Sequence, residues 1–446
     1  MVTDSQNNST VGRGWRLGKL GLGLVGSYLS YQAQNLLLGE GRQAQRQTRF
    51  RQKASRRVRE ELGALKGPAM KLGQMLSMQA DALPEEAMRE LVQLQMQAPA
   101  MHGTLARAQF KGSLGKYPEE IFREFDAESF AAASLGQVHR ATTHDGEKVA
   151  VKIQYPGIKS AIESDFKLLR STTLPTQLSG HVPRALLDEV ERGLLAETDY
   201  RHEVDNLEFF RQGLSGLNYL TIPRVRREWS TDRVLTMSYV EGGSFDAFLQ
   251  RKPSQELRDQ TGTRLVEMYE MQLRCLKTIH ADHHPGNYLF RPDGAIGLVD
   301  FGCVKHITFD VRELRRGYQD RVWRQSEAAA RSFLVLLYGR QIPFRRARRC
   351  LPLLDQWADL LYPRGSTADV VVDYRTGRDE RFEELAAAHW KHIWQDKLIN
   401  PEHAFLVRAD MGLFHLLGKL RVKVNFSEVW RRVEAAANAA SPRQKP

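Results

Sequence analysis

The chain has 446 residues, too many for one ordinary hydrophobic core, so two or three cores are expected. Hydrophobic residues make up 42% and charged residues 26%, a globular balance that argues against disorder. Three cysteines, Cys275, Cys303 and Cys350, stand far apart with no CxxC, which argues against a disulfide scaffold or a cysteine zinc site and fits a reducing, intracellular, cytoplasmic setting.

The formal net charge of +12 is unevenly placed. Residues 1–60 hold eleven Lys or Arg against three Asp or Glu, densest in GRQAQRQTRFRQKASRRVRE at 41–60. Such a run fits an anionic membrane surface, nucleic acid, or simply a solvated basic helix. The preceding stretch 15–39 is apolar in patches but carries Lys19, Gln32, Gln34 and Asn35. It lacks the roughly 18 continuous apolar residues of a spanning helix and has no secretory cleavage pattern. Apolar patches beside a basic run predict lying on a membrane, not crossing it, and no nucleic-acid partner is expected.

Residues 61–100 read as helix, with Leu62, Leu65, Ala69, Leu72 and Leu76 at steps of three and four. Pro68 starts a new helix there or kinks the one that contains it. Residues 126–155 read as strands, with HDGEKVAVKIQY giving a turn and then an alternating strand. Residues 160–212 are helical in pattern, and 220–240 hold two short strands. Beyond 244 the pattern is helical except at 288–302, where YLFRPDGAIGLVDFG predicts a hairpin about a Pro-Asp-Gly turn. The tail from 310 to 440 is helix-rich, with breaks near Pro343, YPRGST (362–367) and Pro401. Four segments result: a basic segment 1–60, a helical extension 61–125, a small strand-rich lobe 126–240 and a large helical lobe 241–446. The class is α+β.

Chemistry gathers at four places. VAVK ends a strand in Lys152, a residue suited to nucleotide phosphates in a kinase-like lobe. LLAETDYRHEVDNLEFF (194–210) reads as one helix offering Glu197, Asp199 and Glu203 as acidic partners. VDFG (299–302) closes an apolar strand with Asp300, where kinases bind magnesium. HADHHPGNYLF (280–290) sets Asp282 and Asn287 five apart, with Asp300 after a short hairpin. In a kinase loop of that spacing the aspartate accepts the proton of an attacking hydroxyl and the asparagine binds magnesium. A zinc site is the weaker alternative. His280 and His284 are one helical turn apart, but Pro285 and Gly286 break any helix there and no Glu stands between them.

Further motifs give the chain a resemblance to the UbiB family of atypical protein-kinase-like proteins. KLGQ (71–74) resembles its KxGQ signature, AAASLGQVHRA (131–141) its alanine-rich loop, and ETD (197–199) its ExD motif. HADHHPGN resembles its HADPHPGN, departing only at His283. The resemblance implies a two-lobed protein-kinase-like fold with a helical KxGQ extension over the active site. It implies ATP and Mg2+ as cofactors. Lys152, Ala131, Ala132, Ala133 and Ser134 would lie at the nucleotide, Glu203 would orient Lys152, and Asn287 and Asp300 would bind metal. Asp282 would be the catalytic base or water-positioning group.

The residues add detail. In the KxGQ helix, Lys71 and Gln74 lie opposite the leucine stripe, yet beside Gly67, Met70, Met75 and Met78. Both faces are then buried, and a buried lysine needs a carboxylate, for which Glu197 and Asp199 are the candidates. These four residues form the expected lid. Alanines restrict the backbone freedom that a glycine-rich loop has. No APE follows DFG, and Ala281 replaces the HRD-type arginine, so a protein-substrate groove and activation-loop control lack support. Ser238, Tyr239, Val240 and Glu241 stand where a hinge would bind adenine. The implied reaction is phosphoryl transfer from ATP to water or to a small or lipid-like acceptor. The implied role is in ubiquinone or isoprenoid-lipid metabolism, with a quinone precursor or isoprenoid lipid as a possible partner. A nucleotide-gated regulator or lipid chaperone without turnover, and a protein kinase acting in trans, stay open.

Overall fold

The computed structural model describes residues 101–133, 135–171, 184–339, 342–361, 369–376, 384–385, 388–389, 392, 398 and 401–440. The KxGQ helix with Lys71 and Gln74, the basic segment 1–60, and Ser134 lie outside the described residues. The chain divides into two compact units, 1–202 with 226–237, and 203–225 with 238–446.

The first unit is strand-rich. Helix α1 (Gly103–Leu114) and the short α2 (Pro118–Ile121) precede strands β1 (Glu124–Phe125), β2 (Ala131–Ala133), β3 (Gly136–Thr142) and β4 (Lys148–Gln154). Helices α3 (Ile158–Ser171) and α4 (Arg184–Ala196) follow; then come α5 (Tyr200–Gly213) and β5 (Leu220–Thr221), which from residue 203 belong to the second unit, before β6 (Val234–Ser238) completes the first unit's sheet. The sheet order is β1-β3-β4-β6, with β2 also paired to β3. Beyond Lys148 every residue of β4 is buried, Lys152 and Gln154 included, so both faces of the strand are covered and the expected alternation does not separate a core face from a solvent face. On one side Val149, Val151 and Ile153 meet Phe110 of α1 and Phe122, whose ring edges against Trp229 at 5.3 Å. Burying side chains of this size contributes about 1.5–3 kcal/mol each. A second cluster joins Leu135 to Ile158, Ile162, Phe166 and Leu194.

The expected single helix over 194–210 is two. Helix α4 stops at Ala196, and the amides of Thr198 and Asp199 turn back to the carbonyls of Leu195 and Ala196. The Thr198 hydroxyl donates to Leu195 O at 2.7 Å, and the Asp199 carboxylate accepts from the Arg201 amide at 3.0 Å. Side chains that bond to nearby backbone favour a cap over a helix interior, so ETD forms the junction between helices.

The second unit is mostly helical. Its helices are α6 (Phe245–Gln250), α7 (Gln255–Met271), α8 (Val311–Gln319), α9 (Glu327–Tyr338), α10 (Phe344–Ala347), α11 (Leu351–Leu361), α12 (Pro401–Leu420) and α13 (Phe426–Ala440). Pro343 and Pro401 mark starts, as their fixed φ and missing N–H favour. Helix α7 packs against both α12 and α13. Its Glu270, only 2% exposed, forms ion pairs with Arg274 at 3.0 Å and, through both oxygens, with Arg315.

The hairpin at 288–302 forms as its sequence predicts, from β8 (Tyr288–Phe290) and β9 (Ile296–Leu298), with Tyr288 opposite Leu298. β5 adds to it in parallel, so the two strands at 220–240 join different sheets. The helical expectation elsewhere beyond 244 was incomplete. β7 (Thr278–His280) pairs antiparallel with β10 (Val304–His306), and β11 (Val371–Asp373) with β12 (Lys423–Asn425). Strands of three residues are too short to show a period of two against helical flanks.

Candidate active site

In the first unit, Lys152 sits in β4 opposite Val138 and is 5% exposed. Its ammonium lies 5.0 Å from the centre of the Tyr200 ring, a cation–π arrangement. Tyr200 follows the ETD turn, and that turn is tied to the same strand because Gln154 Nε2 donates to Thr198 O at 2.9 Å. The motif thus stands beside Lys152, with Glu197 half-buried and Asp199 paired to Arg201. Arg201 and its own amide hold the Asp199 carboxyl below the usual range against the opposing effect of partial burial.

The alanine-rich segment is a strand and not an open loop. Ala131 pairs with Val138 and Ala133 with Gly136, so β2 runs antiparallel to β3. Gly136 is required here: a Cβ would fall 2.3 Å from Ile153 O and 2.9 Å from Tyr200 Oη. The next polar residues of the motif are buried and structural. Gln137 exchanges two hydrogen bonds with the backbone of Met101, at 2.7 and 3.1 Å. It also reaches His139 Nε2 at 2.9 Å, while His139 Nδ1 meets Asp126 O at 2.8 Å. Burial lowers the pKa of His139, so the ring stays neutral, accepting at Nε2 and donating at Nδ1.

The remaining polar candidates belong to the second unit. Helix α7 runs into a wide turn, Gln272–Leu276, that ends at left-handed Lys277 and delivers β7. Gln272 Oε1 accepts from the His280 amide at 2.8 Å. Pairing of β7 with β10 brings Ala281 N to Cys303 O at 2.9 Å, which sets the HADHHPGN loop against DFG. His280 is fully buried and bridges the two: Nε2 lies 2.5 Å from Asp300 O, and Nδ1 faces the Asp282 amide at 3.4 Å. These contacts suit a ring that donates from Nε2 and accepts at Nδ1.

Asn287 Nδ2 donates to Asp282 O at 2.9 Å, closing the loop on itself. Val299 N donates to Asn287 O at 3.1 Å, so the hairpin places Asn287 and Asp300 at one end of adjacent strands. Asp300 Oδ1 accepts from Gly302 N at 3.0 Å, and buried Glu203 accepts from Phe301 N at 3.3 Å through Oε1. Asn206 Nδ2 reaches Phe301 O at 3.1 Å, so α5 grips DFG from both sides of the phenylalanine. Asp282, Asn287, Asp300 and Glu203 therefore form one connected set. Lys152 belongs to the other unit.

The three histidines of the loop have three different tasks. His284 is exposed and its Nδ1 accepts from Gly286 N at 3.1 Å. His283, the departure from the family pattern, is buried. It stacks parallel to Tyr288, hydrogen-bonds to that hydroxyl, and meets the Tyr269 ring edge-on at 5.1 Å. Burial, reinforced by His280, lowers its pKa to about 3. Gly412 of α12 makes room for it, since a Cβ there would lie 2.9 Å from His283 Cβ.

Of the hinge candidates, Ser238 pairs with Arg224 through its amide at 2.8 Å and its hydroxyl at 2.9 Å. Tyr239 is half-buried, Val240 buried and Glu241 exposed. Three further residues escaped the sequence reading. Tyr200 follows ETD directly and could have been included with it. Gly136 lies inside a quoted motif. Arg408 carried no signal: it stands 126 residues from Asp282, yet its Nη2 lies 3.1 Å from Asp282 Oδ1.

A strand-rich unit with a buried strand lysine, and a helical unit with linked Asp-Asn and DFG segments, define a kinase-like fold. Comparison with known proteins agrees. The family profile of the ABC1 atypical kinase-like domain matches residues 93–330, more than half of the chain. The chain is 34% identical over 280 residues to the chloroplastic protein Activity of BC1 Complex Kinase 7 of Arabidopsis thaliana, covering 60% of this chain and 40% of that protein. It is 32% identical over 287 residues to mouse AarF domain-containing protein kinase 1, covering 63% and 55% respectively. It thus spans about half the length of the curated relatives it matches. The structure of Rv3197 from Mycobacterium tuberculosis, solved as a complex with erythromycin, matches with a TM-score of 0.59 at 26% identity. That match covers 87% of this chain and 98% of Rv3197. The chain belongs to the ABC1 family of atypical kinase-like proteins, the AarF/UbiB type.

Proposed function

We propose that the chain binds Mg-ATP and transfers its terminal phosphoryl group to water or to a small, lipid-like acceptor. The observation that carries this reading is the single hydrogen-bonded set in which His280 links Asp300 to Asp282 and Asn287 closes the loop. In this reading Lys152 holds the phosphates, Glu203 orients Lys152, and Asp282 positions the attacking oxygen or takes its proton. Ala131, Ala132, Ala133 and Ser134 border the nucleotide, and Ser238 to Glu241 receive adenine. Lys71, Gln74, Glu197 and Asp199 form the lid.

The donor chemistry fits magnesium. Asn287 uses its amide nitrogen on Asp282 O, which leaves the amide oxygen as its donor, and Asp300 supplies a carboxylate. Two hard oxygen ligands completed by substrate phosphates suit Mg2+. When bound, the ion neutralises charge on the phosphates.

The membrane role rests on the apolar and basic segments at 15–60. No described helix is long and apolar enough to cross a membrane. A peripheral contact with anionic lipid, an acceptor drawn from quinone precursors or isoprenoid lipids, and a role in their metabolism complete the proposal. The test is ATP turnover by the full chain with and without anionic liposomes and phenolic quinone-precursor analogues. Asp282→Asn and Asp300→Asn should each lower turnover by about 100-fold or more. Nucleotide binding without turnover under every condition would replace this reading with that of a nucleotide-gated regulator.

A further inference from the structure

The loop fixes the backbone of Asp282 through His280 Nδ1 and Asn287 Nδ2, but neither contact restrains the carboxylate. Arg408 of α12 does. Its Nη2 is 3.1 Å from Asp282 Oδ1, and its Nη1 is 3.9 Å from the sulfur of Cys303, the residue after DFG. The two side chains are 17% and 25% exposed, so water screens the pair only partly. Arg408 lies outside the span of the family profile.

The helix that carries Arg408 is itself held to the loop. Gly412, one turn further along the same face, lets the helix backbone approach His283. On another face Asp410 accepts from Tyr269 Oη at 2.7 Å, which locks α12 to α7. A guanidinium delivered from a helix fixed at two points restrains a carboxylate far better than one on a free surface loop.

We propose that Arg408 is a positioning residue for Asp282: it holds the carboxylate in the orientation needed for phosphoryl transfer and so makes α12 part of the active-site frame. The inference rests on the proposed role of Asp282. Arg408→Gln should lower kcat about tenfold while leaving the affinity for a fluorescent Mg-ADP analogue unchanged. Arg408→Lys, which keeps the charge but loses the planar fork, should recover part of the loss. In an Asp282→Asn background, Arg408→Gln should cause no further fall, because the group it positions is gone.

The inference is overturned if Arg408→Gln keeps full kcat, if it weakens nucleotide binding by the same factor as it lowers turnover, or if its effect is the same in both backgrounds. If the wild-type protein shows no turnover under any condition, the proposed function fails and this inference with it. An active wild type with an equally active Arg408→Gln sinks the inference alone.

Discussion

Two groups around Tyr269, the buried His283 and the half-buried Asp410, titrate in opposite senses, and their effects on stability should nearly cancel. His283 faces Tyr269, Tyr288, His280, Asp282 and Arg408, and burial holds its pKa at about 3 against an ordinary 6.5. Its folded form stays neutral while the unfolded chain takes up a proton near 6.5. Stability present above 6.5 is therefore lost as the pH falls, by about 2 kcal/mol between pH 7 and 5. Asp410 faces Tyr269, Arg315 and Glu270, and burial raises its pKa from 3.8 to about 7, overcoming the hydroxyl of Tyr269 and the charge of Arg315. Its folded form keeps the proton that the unfolded chain releases. Stability therefore rises as the pH falls from 7, also by about 2 kcal/mol down to pH 5. Urea denaturation at pH 7 and pH 5 separates the two. His283→Gln should gain about 2 kcal/mol on acidification relative to the wild type, and Asp410→Asn should lose about as much. The comparison is between pH values within each variant, so any constant cost of substitution drops out. If both variants show the wild-type change between the two pH values, neither group titrates as its burial requires and the reasoning fails.

Two further outcomes are expected. Glu270→Ala would leave Arg274 and Arg315 near an empty site in the helical core and should cost about 3–5 kcal/mol by urea denaturation; an effect under about 1 kcal/mol would refute the view that this carboxylate neutralises both. Gly136→Ala would drive a methyl into the Ile153 carbonyl and should destabilise by about 1–3 kcal/mol, with loss of amide protection in β3 and β4; an unchanged melting temperature would contradict it.

What the sequence disclosed follows from how local each signal was. The 288–302 hairpin and the buried strand ending near Lys152 carry their own periodicity and turn residues. The Asp282, Asn287 and Asp300 spacing is also local, and one hairpin brings the three to one place. The ETD break was not legible because a helical pattern of apolar residues runs through it, while the interruption depends on how Thr198 and Asp199 bond to backbone. The short β7 and β10 take their form from each other across the DFG segment. His283 has no local explanation at all. Its reason lies in Tyr269, Tyr288 and Gly412, and the last is on a helix far along the chain.

The boundary between the two units is crossed three times, at 202/203, 225/226 and 237/238. Residues 203–225 lend α5 and β5 to the helical unit before 226–237 return to complete the sheet. No single cut of the gene can therefore release either unit whole. A fragment starting near residue 240 would lack Glu203, Asn206 and the strand that flanks β9. A fragment ending near 202 would lack β6. During synthesis, the strand-rich unit cannot close its sheet until the ribosome has already delivered part of its neighbour.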